Sequence, residues 1–568
     1  MTIRWIWIAA VVCGILMTGI PAGMSQTASA PSQVNVRTFG ARGDGQTDDT
    51  AAFNTAMAAV AERGGTVFIP VGTYLIKTHL VVPPSVTLEG VWKIPTVYRP
   101  NQGSILLAVE GAGSETGPPF ISLHTNSAIK GLTVFYPDQK PDHIVPYPWC
   151  VQSAGGDDIS IVDCLLVNPY QAVDFGTHPS GRHYIRGLYG QPLRRGIYVD
   201  KTYDIGRIEN VHFWTFWDWD EKSGIRDWMW KNGEAFIFAR TDWEYVFDTF
   251  AFGYKIGYHF VQAPDGAMNG NLLGIGADAS QVAVQVDASQ TPGLLITNGE
   301  FVSFAGVNPT EVVVTAAHAG VVQFQNCSFW GPAHQIARIA GTGHVSFSNC
   351  NFVDWDSENK AVPAISLFGG SLLVNGCNFM KAAPQAILRD KAESAVFEGN
   401  RMGGPLGISN PAHADLQVGL NTYKKPPARP REEANAIVVD DSDGPPAVTF
   451  QGHWLLATGA GNYYRGAHWA MKGTGNARAI FRPAVRRTGR YRVSVYFGPD
   501  PGHDHASNAP VTIHYDGGSV TKRIDLRPLK GAWIPLGVYR LIRTSSIVLS
   551  NDANGNVLAD AVKVVPAS

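Results

Sequence analysis

The sequence predicts an all-β chain: a right-handed parallel β-helix with a short N-terminal capping helix, followed by a C-terminal antiparallel β-sandwich. Three observations carry this prediction. The motifs NGEF, NCSF, NCNF, GCNF and GNRM close on Phe301, Phe329, Phe352, Phe379 and Met402, about 23 to 28 residues apart, which is the period of a stacked repeat. Cys327, Cys350 and Cys377 hold one and the same motif position, with Cys164 as a fourth, so equivalent residues stack in a column. Beyond residue 436 the pattern changes to short alternating strands separated by regular turns, as in YRVSVYF, VTIHY and SIVLS.

The bulk composition fits a folded array. Of 568 residues 45% are hydrophobic and only 16% charged, and the 61 glycines indicate many turns. Such a length suits two units or one long solenoid, in which each coil buries its core against its neighbours. Lys+Arg 45 against Asp+Glu 47 gives a net charge of −2, which supplies no global field for nucleic acid or an anionic membrane. A neutral polymer, or an anionic one matched locally, suits this balance. Fifteen Trp and nineteen Tyr exceed what a plain β core needs, and aromatic faces are platforms for sugar rings as well as core filler.

Residues 1–30 read as a signal peptide: Arg4, an apolar run from Trp5 to Ile20, then small residues ending in Ala28-Ser29-Ala30. The expectation is a secreted protein, extracellular or periplasmic, with no membrane attachment after cleavage. Val12 before Cys13 does not suit a lipoprotein signal.

The mature chain opens with FGARGDGQTDD, a helical stretch from Ala51 to Arg63 that Asp48 or Asp49 is suited to cap, and GGTVFIPVGTYLI, read as two strands around a Pro/Gly turn. This stretch, residues 34 to 80, resembles the opening of the pectate-lyase-like β-helix superfamily. The resemblance implies that the helix and first strands cap one end of a solenoid extending over 34–423. It leaves the reaction open, because the family includes lyases, hydrolases, epimerases and phage tailspikes.

Asp163-Cys164-Leu165-Leu166 and Asn210-Val211-His212-Phe213 look like earlier copies of the coil motif, so the gap from Phe213 to Phe301 must hold extra coils and an inserted loop. The cysteines are expected to be an interior ladder rather than disulfides, since adjacent parallel strands rarely suit that bond's geometry. Residues 424–435 form a proline-rich charged linker. Over 436–568 the order IVVDDSD, YYRGAHWAMKG, YRVSVYF and VLADAVKVV resembles the golvesin or xanthan-lyase C-terminal module. That resemblance implies an accessory, carbohydrate-binding role, for which Tyr463, Tyr464, His468, Trp469 and Trp533 are either a sugar platform or core.

Chemistry is expected where coils are interrupted, between about Tyr189 and Phe260. Here Trp217, Trp219 and Asp220 precede a second cluster of Asp242, Trp243, Glu244 and Asp248. In an extended strand Asp242, Glu244 and Asp248 share one face. Glycoside hydrolysis needs two carboxyls, one protonated and one ionised, and indole neighbours both raise a carboxyl's pKa and stack on sugars. The leading expectation is therefore a glycoside hydrolase using Asp242, Glu244, Asp220 and Asp248 on a polysaccharide. The competing reading has these acids solvating loops or pairing with Arg226, Arg240 and Lys231.

A polysaccharide lyase on the same fold needs a base and cations facing a uronate, for which Arg194, Arg195, Lys201 and Arg207 lie close in sequence, and Trp217, Trp219, Trp243, Arg195, Lys201 and Tyr203 are expected to bind substrate. No cofactor is expected, except calcium for a lyase, with Asp200 and Asp204 as its hint. Asp174 with His178 ranks third, and Asp354 and Asp356 read as loop acids. The closely spaced NxD, DD and GHG motifs of polygalacturonases are not found. A non-catalytic, tailspike-like glycan binder is the third reading, and a homo-oligomer is open because related β-helices include trimers.

Overall fold

The computed structural model describes residues 32–91, 102–423, 429–457, 462–464, 466–498, 505–528 and 531–567. The leader 1–30, with Cys13, and the first part of the linker lie outside the described residues.

The helix Thr50–Val60 buries Ala52, Phe53, Ala56, Met57 and Val60 against the first coil, where Phe53 meets Tyr74 edge to face at 5.4 Å. Its N-cap residue is Asp49, but the capping hydrogen bonds come from the residue before: Asp48 Oδ1 accepts from the Thr50 amide and hydroxyl. Asp49 turns inward and accepts from the Arg42 and Gly43 amides, tying the FGARGDG loop to the helix. The helix thus covers the terminal rung, formed where Gln33–Asn35 pairs in parallel with Gly65–Phe68.

From there to Thr422–Tyr423 the strands pair in parallel, one coil above another. The motif positions form a continuous register ladder: Leu166, Gly190, Phe213, Ala251, Ala277, Phe301, Phe329, Phe352, Phe379, Met402 and Tyr423. The expected extra rungs between Phe213 and Phe301 are Ala251 and Ala277, small residues that leave no aromatic mark in the sequence. The inserted loop precedes them, between Arg207–Phe213 and Glu234–Phe238, and carries the helix Ile225–Asn232. Cys150, Cys164, Cys327, Cys350 and Cys377 are buried free thiols, and the Sγ of Cys327, Cys350 and Cys377 donates to the carbonyl two residues back.

The antiparallel part begins at Ile437–Asp440, which pairs with the last strand Ala561–Pro566. That strand also pairs with Gly489–Phe497, so the two ends of the module meet in one sheet. A five-stranded sheet from Val448–Gln451 to Gly518–Ile524 packs on it over a core of Trp454, Val493, Ile513 and Val564. Tyr463 is buried and meets Trp533 edge to face at 5.0 Å, with Lys563 Nζ 4.4 Å above the indole, so these two rings serve the module's packing.

Candidate functional site

The acids singled out in the sequence do not form one face. The strand Thr241–Phe252 has a register shift between Thr241 and Glu244, where Trp243 takes φ +57°, and Asp248 takes φ +50°. Each left-handed residue turns the strand and breaks the period-two alternation. Glu244 consequently points inward, fully buried, hydrogen-bonded to His183 Nε2 at 2.8 Å and accepting from Thr241 Oγ1 at 2.7 Å. Asp248 is exposed on the opposite side.

Asp242 is half-buried and held by Arg240 at 2.7 Å, Gln290 at 2.9 Å and Asn269 at 3.2 Å. Burial works to raise its pKa, but these donors outweigh it and keep the carboxyl below the usual range. Asp220 lies in the inserted loop, where it caps the turn Glu221–Ser223 by accepting from the Lys222 amide.

Of the aromatic and basic candidates, Trp217 and Trp219 pack partly buried against the core. Trp219 meets Trp230 and Phe252 edge to face at 5.7 and 5.4 Å. Trp243 is 57% exposed and donates to the Tyr245 hydroxyl at 2.8 Å. Arg195 donates to Gln171 at 2.8 Å, Lys201 to the Thr177 carbonyl at 3.1 Å, and exposed Tyr203 carries the Arg240 guanidinium 4.9 Å above its ring. Asp200 is buried and accepts from Tyr198, the Lys201 amide and the Arg240 amide, whereas Asp204 pairs with Arg182. These two acids therefore face different partners.

What the coils do bring together lies on an outward-facing sheet. Its strands Trp149–Ser153, Gln171–Phe175, Arg195–Val199, Glu234–Phe238, Ile256–Phe260 and Val282–Val286 are in parallel register. Inward they stack Val151, Val173, Ile197, Phe236, Tyr258 and Val284, and the next position outward is Gln152, Asp174, Tyr198, Ile237, His259 and Gln285. Asp174 is saturated by Gln152, the Gly176 and Thr177 amides and the Thr177 hydroxyl, so it shapes the turn after its strand. Tyr198 stacks with Trp149, ring centroids 6.4 Å apart and planes 14° from parallel, which lays aromatic surface on this face.

The chemical centre is a row of three side chains from successive coils. His259 Nδ1 lies 2.9 Å from Glu234 Oε2, and His259 Nε2 lies 2.9 Å from Asp287 Oδ2. Arg194 reaches the other Glu234 oxygen at 3.3 Å, and Gln285 donates to Asp287 Oδ1 at 3.2 Å. His259, Glu234 and Asp287 are 14%, 18% and 29% exposed, so the row is shielded yet reachable from solvent. Burial disfavours the imidazolium, but the bonds and charges of Asp287 and Glu234 prevail and push its pKa up to about 9. Burial likewise works to raise both carboxyls, and His259 in each case, with Arg194 for Glu234, keeps them below their ordinary range. At neutral pH the row therefore holds one proton-bearing ring between two carboxylates. The sequence signal for it was coil spacing: the partners lie 25 and 28 residues from His259, one turn of the column in each direction.

Two family models match parts of the chain. Residues 33–140 match the rhamnogalacturonase A/epimerase, pectate lyase-like model, and residues 437–566 match the golvesin C-terminal domain. A non-secreted LysM effector of Penicillium expansum is 44% identical over 57 residues, 10% of this chain and 4% of that protein. Among solved structures, Paenibacillus xanthan lyase aligns at 28% identity over 24% of this chain and 13% of its own, with a TM-score of 0.22. The A-module of the Azotobacter vinelandii mannuronan C-5 epimerase AlgE6 aligns at 14% identity over 69% of this chain and 100% of its own, TM-score 0.39. The chain thus spans only a small fraction of that effector and of the xanthan lyase.

Proposed function

We propose that this chain is a secreted enzyme that hydrolyses an extracellular polysaccharide at the Glu234–His259–Asp287 row. The observation that carries the reading is that row itself: two ionised carboxylates share one protonated ring on a face lined with stacked aromatics. The match of residues 33–140 to a rhamnogalacturonase A/epimerase model supports a carbohydrate substrate.

The proposed division of labour follows from charge. Arg194 makes protonated Glu234 the readier proton donor, and Asp287, which has no arginine partner among the described residues, is the stronger base. Glu234 takes a proton from His259 and passes it to the leaving glycosidic oxygen. Asp287 removes a proton from the attacking water, whose oxygen bonds to the anomeric carbon as the glycosidic bond breaks. The proton gained by Asp287 returns through the ring, restoring the starting state. Trp149 and Tyr198 offer the platform for adjoining sugars.

A second reading is favoured by the two cations on this face, His259 and Arg194, which could neutralise a uronate carboxylate during β-elimination. Purified protein incubated with a panel of neutral and uronate polysaccharides decides between them. New reducing ends without near-ultraviolet absorbance support hydrolysis, an unsaturated product absorbing there supports elimination, and polymer binding without shortening removes both. Amino-terminal sequencing of protein recovered outside the cell tests export and cleavage of the leader. We propose an accessory, polymer-holding role for the golvesin-like module, tested by comparing polymer affinity with and without residues 436–568.

A further inference from the structure

We propose that Asp440, Asp441 and Asp560 form a calcium site that clasps the two ends of the C-terminal module together. Asp440 ends the module's first strand, Asp441 opens the turn after it and Asp560 precedes the last strand, so the trio sits where chain entry and exit meet. One ligand oxygen from each carboxylate lies within 4.8 Å of the others, and the residues are 0%, 4% and 1% exposed. Oxygens bound to calcium at about 2.3–2.6 Å fall within roughly 5 Å of each other, so one ion spans this set.

An independent observation points to a ligand. Asp440 Oδ2 and Asp441 Oδ1 are buried and have no hydrogen-bond partner. Their remaining oxygens are occupied by local donors: Asp440 Oδ1 accepts from the Ser442 amide and hydroxyl, and Asp441 Oδ2 is bonded to His468 Nδ1 at 2.7 Å. Asp560 is oriented by the Tyr463 and Gly498 amides. Among the described residues no Lys or Arg pairs with any of the three, and the nearest arginine contact, Arg429, is to Asp443. Three buried carboxylates facing one another repel unless a proton or a cation lies between them, and an all-oxygen donor set suits a hard cation. Asp441 also lines a cleft of about 410 Å³ that Ser442, Tyr464 and His468 share with Met380 and Lys381 of the last coils, which gives an ion its path from solvent.

The test uses the full chain. Protein stripped with EDTA is titrated with calcium, following bound metal by mass spectrometry and the melting of the module by calorimetry. One equivalent of calcium and a rise in Tm of about 5 °C or more are expected. Terbium bound there should emit on excitation of Tyr463 and Trp533, and calcium should quench it by displacement. Asp560→Asn should abolish the calcium-dependent rise, whereas Asp525→Asn, just past the strand Gly518–Ile524 and paired with Arg527, should keep it. No stoichiometric metal and no calcium-dependent change in the wild-type Tm would overturn the proposal, even if Asp560→Asn fails to fold.

Discussion

Phe329 and Phe352 lie face to face, ring centroids 5.4 Å apart and planes 9° from parallel, although 23 residues separate them. Phe301 and Phe379 extend the stack at 5.4 and 4.6 Å. Truncating a ring in mid-stack strips contacts from the rungs above and below at once. Phe329→Ala should cost about 3–5 kcal/mol, the range for a buried phenylalanine in a core that cannot collapse around the gap. Chemical denaturation of the β-helix checks this, and a loss under 1 kcal/mol would show that the rungs relax independently.

Removing either outer member of the proposed row should stop turnover while leaving the fold intact. Glu234→Gln and Asp287→Asn are expected to lower kcat by about 10²–10⁴-fold. Asp242→Asn and Asp220→Asn should change it several-fold at most, because one carboxylate is saturated by Arg240 and the other caps a turn. Reducing-end assays on an active polymer supply the comparison.

The imidazolium of His259 also sets a pH signature. Its folded pKa, about 9, exceeds the unfolded value near 6.5. Its stabilisation is therefore complete below about pH 6.5 and is lost as pH rises through about 9. His259→Gln should flatten that alkaline fall in Tm between pH 7 and 10. An unchanged slope would mean the ring is not held between ionised carboxylates.

Glu244 serves as a contrast. Deleting its side chain strands His183 in the core with both ring nitrogens unsatisfied, since Nδ1 already has no partner. Glu244→Ala should destabilise the protein by about 3–5 kcal/mol. Any lost activity should return on cooling or with a stabilising osmolyte, which a true acid–base residue would not permit.

These cases show what the sequence could and could not convey. The column was legible because aromatic rungs recur at coil period, and even Cys164 falls in the ladder of Cys327 and its neighbours. Ala251 and Ala277 escaped notice because a small residue stacks without marking its position. The acids of Thr241–Phe252 converge only while alternation runs unbroken through Trp243, and nothing in its neighbours announces a left-handed residue there. Glu234, His259 and Asp287 carry no group signature in the sequence, since Glu234 and His259 are isolated acid and base in otherwise apolar strands and Asp287 follows the end of Val282–Val286. Only the solenoid's pitch places them side by side, which is a property of winding rather than of local sequence.

The helix Thr50–Val60 has a mechanical consequence. A stack of parallel rungs has, at either extremity, strands whose amide and carbonyl groups are ready to accept another copy. By lying across the initial rung and filling it with Phe53 and Met57, the helix acts as a stopper against end-to-end growth. Chains shortened to begin beyond Val60 should string into filaments or precipitate, and light scattering of such a truncation would reveal how much of the protein's solubility resides in eleven residues.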